Sequence, residues 1–399
     1  MSWREIQLGD AFTIKHGFAF KSEYFGDEGQ HVVLTPGNFY EPGGFRARPG
    51  KDRFYTVEPP EDFILAANDL IVAMTEQGEG LLGSSALVPG VGSYLHNQRI
   101  GLVENLDEAK LDKGYLYRLF NTPIVRGHIR ATASGTKVRH TAPKRIYSIK
   151  VKVPPVSEQR RIADILSAYD DLIENNRRRI AFLEEAARLL YREWFVHFRF
   201  PGHEHVPITD GLPNGWERFA LSDLADFING FAFKPAHLGD TGLPIVKIPE
   251  LKQGVTEKTP RNDGEMVPEK YHLKDGDLLF SWSGTLAVNV WTSGPALLNQ
   301  HLFHVVPRGR VSRAFLMCAI REALIAFENQ TVGATMKHIR RSALDRVFVP
   351  LPDRAFMSPV EDTLANTFEQ LIILHQQNQR LAQARDLLLP RLMNGEIAV

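Results

Sequence analysis

The chain repeats itself, and a repeat at this spacing means that one kind of domain is built twice. Trp3 and Trp216 lie 213 positions apart. At the same offset, Gly17-Phe18-Ala19-Phe20-Lys21 recurs letter for letter as Gly230-Phe231-Ala232-Phe233-Lys234. Further on, Asp69-Leu70-Ile71-Val72 answers to Asp277-Leu278-Leu279-Phe280, and Asn97-Gln98 to Asn299-Gln300. Gly135-Thr136-Lys137-Val138-Arg139-His140 answers to Gly333-Ala334-Thr335-Met336-Lys337-His338. The order holds while the offset shrinks from 213 to 198, as loop deletions in the second copy would produce. One such match could arise by chance, but an ordered series points to two domains of one fold. The length agrees, since 399 residues exceed one ordinary core.

Each copy reads as a short-stranded α+β domain. Phe63-Ile64-Leu65, Leu70-Ile71-Val72-Ala73 and Ile100-Gly101-Leu102-Val103 are strand-like and punctuated by Gly, Pro and Asn. The second copy offers Ile245-Val246-Lys247-Ile248, Leu278-Leu279-Phe280-Ser281 and Leu302-Phe303-His304-Val305-Val306. Leu116-Tyr117-Arg118-Leu119-Phe120 and Phe315-Leu316-Met317-Cys318-Ala319-Ile320 read as helical.

A different segment follows each copy. Ile162, Leu166, Tyr169, Ile173, Asn176, Ile180, Leu183, Ala187, Leu190 and Trp194 alternate steps of four and three, which is a heptad seam. Adding 198 gives Val360, Leu364, Thr367, Leu371, Leu374, Asn378, Leu381, Arg385, Leu388 and Leu392. Ser157 can cap the first helix. Ser358-Pro359-Val360-Glu361 offers the second a capping box with proline at the first helical position. Pro390 is expected to kink or end that helix. The seam asparagines Asn176 and Asn378 weaken packing but fix register and partner choice. Two helices packed only on their own domains is the alternative; the length and narrowness of both seams favour mutual pairing. Pro201, Gly202, Pro207, Gly211, Pro213 and Gly215 mark a linker. The expected organisation is a domain over 1–153, a helix over 154–199, a linker over 200–215, a domain over 216–352 and a helix over 353–399.

Charge sets a constraint on partners. Lys plus Arg and Asp plus Glu both total 47, whereas a stand-alone DNA binder is usually basic. The charge is uneven, however: from Thr122 to Lys152 there is no Asp or Glu, but there are Arg126, Arg130, Lys137, Arg139, Lys144, Arg145, Lys150 and Lys152. Such a stretch can bind phosphate or can be a solvated face. Cys318 is the only cysteine, which excludes an internal disulfide and suits a reducing cytoplasm. The N-terminus lacks an apolar run, and no apolar stretch is long enough to span a bilayer.

Longer strings carry a resemblance. Pro154-Pro155-Val156-Ser157-Glu158-Gln159 opens the first helix, and Trp194-Phe195-Val196-His197-Phe198-Arg199-Phe200-Pro201-Gly202-His203-Glu204 follows it. Gly211-Leu212-Pro213-Asn214-Gly215-Trp216-Glu217 restarts the repeat, and Leu389-Pro390-Arg391-Leu392-Met393-Asn394-Gly395-Glu396-Ile397 closes the chain. In these strings, and in the order domain, helix, domain, helix, the chain resembles the specificity subunits of type I restriction–modification enzymes. It departs at Pro352-Asp353-Arg354-Ala355-Phe356-Met357, where that family often has Pro-x-x-Glu-Gln. The resemblance implies an α+β fold of two tandem target-recognition domains, with the two long helices paired as an antiparallel coiled coil. It also implies a non-catalytic subunit that reads a bipartite, asymmetric target in double-stranded DNA. Its implied partners are two modification subunits, which bind S-adenosylmethionine and methylate adenine, and two ATP-dependent motor–nuclease subunits that can join them. No cofactor and no metal is expected on this chain. A helix of about 35 residues is about 50 Å long, one to one and a half DNA turns.

Candidate contacts fall in the repeated strings. Asn97, Gln98 and Arg99, and likewise Asn299, Gln300 and His301, are residue types that pair with base edges, or else form polar turns that bond their own backbone. Lys137, Arg139 and His140, with Lys337, His338, Arg340 and Arg341, sit in or beside loops suited to phosphate. Lys21 and Lys234 can reach a phosphate from otherwise structural strings. Sequence choice is expected from positions that differ between copies, the loops 77–83 and 282–285. The helix-pairing candidates are Ile173, Asn176, Ile180 and Leu183 with Leu371, Leu374, Asn378 and Leu381.

Three motifs are decoys. Gly78-Glu79-Gly80-Leu81-Leu82-Gly83 fits a dinucleotide fingerprint, but Glu76 and Glu79 would repel a pyrophosphate and no helix follows, so a hairpin turn is expected. Gly44 to Lys51 lacks Walker spacing, and His203-Glu204-His205 reads as a surface turn rather than a metal site. There is no Asn-Pro-Pro-aromatic methylase motif and no nuclease carboxylate cluster. The rival functions are a self-contained DNA-modifying enzyme, which those absences oppose, and an assembly scaffold without base readout, which the duplicated basic loops oppose.

Overall fold

The structure, a computed structural model, describes residues 3–48, 50–78, 80–330 and 341–399, with side chains at 325–330 and 341 excepted. The chain forms two compact units: residues up to Asp170 together with Gln383–Val399, and Asp171–Ala382. Each unit thus holds one globular domain and a segment of each long helix.

In the first unit, Thr13–His16, Ile100–Glu104, Leu70–Ala73 and Ser85–Leu87 form an antiparallel sheet in that order. A second sheet runs Phe25–Gly26, Phe54–Tyr55, His31–Val33, Ser93–Leu95, Ile64–Leu65, with His31–Val33 and Ser93–Leu95 parallel. Arg4–Gln7 pairs with Lys150–Val153 and brings both ends of the domain together. Leu70–Ala73 is buried throughout, so it reads as a continuous apolar run rather than an alternation. Helix Lys113–Phe120 is capped by Asp112, whose carboxylate accepts from Tyr115 N–H at 2.9 Å. It buries Tyr115, Leu116, Leu119 and Phe120 against Leu8, Phe12 and Leu70.

The second unit repeats this plan, except that its second sheet has four strands among the described residues where the first unit has five. Ala225–Asn229, Leu302–Pro307, Leu278–Ser281 and Ala287–Val290 form the first sheet. Arg261–Asn262, Leu243–Val246, Ala296–Leu298 and His272–Leu273 form the second, with Leu243–Val246 and Ala296–Leu298 parallel. Glu217–Ala220 pairs with Phe348–Leu351. Two details differ from the sequence reading. Ile248 leaves its strand and starts helix Ile248–Gln253, because Pro249 suits a first turn and Glu250 Oε2 accepts from Lys247 N–H at 3.0 Å. The linker is also ordered. Ile208–Thr209 and Leu212–Pro213 form a hairpin, and buried Phe200 stacks on Trp216 at 5.1 Å and 22°.

The long helices run Val156–Phe195 and Arg354–Met393. Within each unit their segments are antiparallel. In the first, Arg385 donates to Asp170 at 2.6 Å, while Arg118 of the domain holds the other oxygen of that carboxylate at 2.6 Å. In the second, Asn176 donates to Gln377 at 3.4 Å, and Trp194 lies 5.9 Å from Phe356. All the seam residues are buried or half-buried. Ile173, Ile180, Leu371 and Leu374 are buried, and Leu183 and Leu381 half-buried. Asn176 bonds Gln377 rather than Asn378, whose Oδ1 has no partner among the described residues. The helices also pack into the domain cores, so pairing and domain packing are both realised.

The helix starts depart from the sequence reading. The first begins at Val156, which puts Ser157 inside the first turn rather than at the cap. The second begins five residues before Pro359, with Asp353 accepting from Phe356 N–H at 2.9 Å. Pro359 and Pro390 are absorbed within a helix held by its buried face. The departure from Pro-x-x-Glu-Gln also has a structural answer. Buried Gln159 accepts from Asp112 N–H at 2.9 Å and donates to the Lys110 and Pro154 carbonyls. The matching position in the second copy is apolar Met357, and Glu361, one turn later, accepts from Ser312 N–H at 3.1 Å instead.

Candidate nucleic-acid interface

The two most faithful repeats in the sequence pack on each other. Phe18 N–H donates to the His96 carbonyl at 2.8 Å, and Gln98 N–H to the Phe18 carbonyl at 2.9 Å. In the second domain Phe231 N–H donates to Leu298 and Gln300 N–H to Phe231, at 2.8 and 3.0 Å. A Cβ on Gly17 would lie 2.1 Å from the Asn97 carbonyl oxygen, and one on Gly230 would lie 2.3 Å from that of Asn299. Only glycine fits such an approach. The string thus braces the Asn-Gln turn. Gly17→Ala and Gly230→Ala should each destabilise their own domain by about 3 kcal/mol, at the upper end for overpacking because the clashing atom is backbone. Thermal unfolding beside the exposed Ala19→Ser control tests this; unchanged midpoints would refute the brace.

The turns sort the candidate residues. Asn97 Oδ1 accepts from Arg99 N–H at 3.0 Å, and Asn299 Oδ1 from His301 N–H at 3.3 Å. Both asparagines therefore hold their own turn, and Asn299 is buried. Gln98, Arg99 and His301 are exposed, and Gln300 is half-buried. These four side chains, two from each turn, are the ones offered outward.

In the first domain the structure brings a second candidate group beside this turn. Met74 N–H donates to the Arg99 carbonyl and Thr141 N–H to the Met74 carbonyl, both at 3.0 Å. Thr75–Glu76 then pairs with Arg139–His140, Glu76 opposite Arg139. Arg99 on one side, and Arg139 and His140 on the other, thus lie beside the strand that opens the 77–83 loop. Lys137 and His140 are exposed, whereas Arg139 is half-buried and turned onto Glu76 at 3.5 Å. Arg126 is buried too, so the acid-free stretch offers less surface charge than its composition suggests. Lys144, Lys150 and Lys152 stay exposed.

In the second domain the 282–285 loop is anchored differently. Ser281 Oγ donates to the carbonyls of Ser283 and Thr285 at 3.2 and 2.9 Å. His301 Nδ1 lies 3.3 Å from Ser283 Oγ, and its ring is 6.2 Å from that of Trp282. Lys21 and Lys234 are exposed at matching positions, with Lys21 3.6 Å from Glu23. The loop 333–338, with Lys337 and His338, and Arg340 lie outside the described residues, as does the side chain of Arg341.

The sequence reading missed one buried titratable group and the structural role of another. His96 is fully buried beside the first turn, where its Nε2 bonds the Ile100 carbonyl at 2.9 Å. Burial pushes its pKa from the ordinary 6.5 down to about 4, against that hydrogen bond, which raises it, and with nearby Lys15 and His16, which lower it further. Glu76 is the other. Its sequence signal was a carboxylate at a strand end followed by Gly78 and Gly80. Among the described residues no group of three His, Cys, Asp or Glu can hold a metal ion, and no helix is long and apolar enough to cross a membrane.

Comparison with known proteins agrees with this duplicated architecture. The chain is 25% identical over 300 residues to the type I restriction enzyme MjaIX specificity subunit of Methanocaldococcus jannaschii, covering 71% of this chain and 69% of that one. It is 23% identical over 321 residues to the HindI specificity subunit of Haemophilus influenzae, covering 63% and 70%. The fold matches the crystal structure of a type I restriction–modification system S subunit from M. genitalium, with a TM-score of 0.61 at 15% identity, covering 98% of this chain and 96% of that chain. The model of the type I restriction modification DNA specificity domain matches residues 1–185 and again 213–378. The chain therefore belongs to the type I restriction modification DNA specificity family and carries the family's domain twice.

Proposed function

We propose that the chain is the non-catalytic, DNA-reading subunit of a type I restriction–modification complex. Each domain reads one half of a bipartite, asymmetric target in double-stranded DNA. The paired helices space the readers and scaffold two modification subunits and two restriction subunits, which supply S-adenosylmethionine and ATP chemistry. One observation carries this reading: two domains of one topology hold a braced Asn-Gln turn at the same place, and what surrounds it differs. Arg99 faces outward in one and His301 in the other, beside loops of different sequence and anchoring. A shared scaffold with unlike outward residues is what two readers of unlike half-sites require.

The neutral net charge leaves little phosphate attraction to the chain alone. Purified by itself, it should transfer no labelled methyl groups to DNA and bind its target weakly at physiological salt. With modification subunits present, an electrophoretic shift should appear, sensitive to both half-sites. Tight binding by the chain alone, unchanged by the partner, would overturn the shared-affinity arrangement. A partner complex indifferent to sequence would favour the scaffold.

A further inference from the structure

Residues 80–82 wrap a buried carboxylate. Glu76 is 3% exposed, yet its Oε2 accepts from the backbone N–H groups of Gly80, Leu81 and Leu82 at 3.1, 3.0 and 2.8 Å. Consecutive amides on one anionic oxygen form a nest that fixes the loop backbone. The Glu76 Oε1 faces Arg139 Nη1 at 3.5 Å. Arg139 in turn donates to the Arg130 carbonyl at 2.6 Å. Arg126 and Arg130 both donate to the Gly80 carbonyl, Arg130 at 3.3 Å, and Arg126 also reaches the Glu41 carbonyl at 2.9 Å. Gly80 has φ +120°, and a Cβ there would lie 2.6 Å from the Glu41 carboxyl carbon. The loop is thus gripped on both sides.

We infer that Glu76 and Arg139 are positioning residues: they latch the segment 80–83 to the 135–140 loop, so that the first domain presents both to DNA as one rigid edge. This rests on the reading of the domains as half-site readers. It reassigns Arg139 from a phosphate contact to an internal tie, because its guanidinium is already turned onto Glu76 and the Arg130 carbonyl. The glutamate of this latch belongs to the first domain alone. The position matching Glu76 is Gly284, where Ser281 anchors the loop by its hydroxyl. Loosening the latch must therefore affect one half-site and spare the other.

The test uses the complex with modification subunits and measures methylation of duplexes carrying single-base changes in either half-site. Glu76→Ala and Arg139→Ala should each reduce discrimination within one half-site about tenfold, the scale of one mismatch. Discrimination in the other half-site, and the salt dependence of binding, should not change. Glu76→Gln keeps a carbonyl oxygen for the amides and loses the ion pair, so its effect should be smaller. Lys137→Ala, in contrast, should weaken binding to all sequences and lower the salt slope by about one. If Glu76→Ala fails to assemble, Glu76→Gln and Arg139→Ala decide. An Arg139→Ala complex with intact discrimination and a salt slope lower by about one would make Arg139 a phosphate contact and overturn the latch. So would full discrimination in the Glu76 variants. A wild-type complex with no half-site preference would instead remove the reading on which the latch rests.

Discussion

A chain with one heptad inserted after Asp170 and another after Ala382 should direct methylation to a target whose half-sites keep their letters and lie about three base pairs further apart. Both long helices pass from one unit into the other, so both must be lengthened. The two insertion points are level, because Asp170 pairs with Arg385 just beyond them. Seven residues keep the apolar seam facing its partner and add about 10 Å of helix at 1.5 Å per residue. The contacts that tie each segment to its own domain, Arg118 with Asp170 and Arg321 with Glu184, are left intact. The added rotation along the duplex makes loss of activity uninformative, so active variants decide, read by methylome sequencing. An active variant that keeps the original gap, or changes a half-site's letters, would show that the helices do not set the spacing.

The second large effect is on acid stability. His96 is protonated near pH 6.5 when unfolded but only near pH 4 when folded, so the unfolded chain takes up the proton first. Its pKa is depressed by folding. Its contribution is therefore neutral above pH 6.5 and increasingly unfavourable as pH falls towards 4, reaching about 3 kcal/mol at about 1.4 kcal/mol per pH unit. The corresponding residue of the second domain is Leu298, which needs no proton. His96→Leu should flatten the loss of stability of the first unit between pH 6.5 and 4 and leave the second unit unchanged. Hydrogen exchange of the strand Ile100–Glu104 reports the first unit alone. Parallel pH dependence in the two proteins would show that His96 does not carry the acid sensitivity.

Much of the architecture was legible because it rests on periodicity. The ordered repeat announced two domains of one topology, and the strands common to both units share order and register. The steps of four and three announced two long helices with an apolar seam. Helix ends were less legible, because capping is a local competition that tertiary packing overrides. Asp353 took the cap expected from Ser358, and Glu361 replaced the missing glutamine from one turn further on. Thr122-Pro123 carried a readable break between Lys113–Phe120 and Pro123–Ala131, with no counterpart in Arg313–Gln330.

The sequence by itself determined the duplication and the helical seams, since these follow from order and period. Side-chain duty was decided only by the tertiary structure. Asn97 and Asn299 bond their own turns while Gln98, Arg99 and His301 face outward, which composition cannot separate. Arg126 and Arg139 counted as basic surface until the fold turned them inward onto the Gly80 carbonyl and Glu76. The reason is physical: a charge is solvated or paired according to what the chain brings near it from far along the sequence. Arg139 meets Glu76 only because strands 63 residues apart become neighbours.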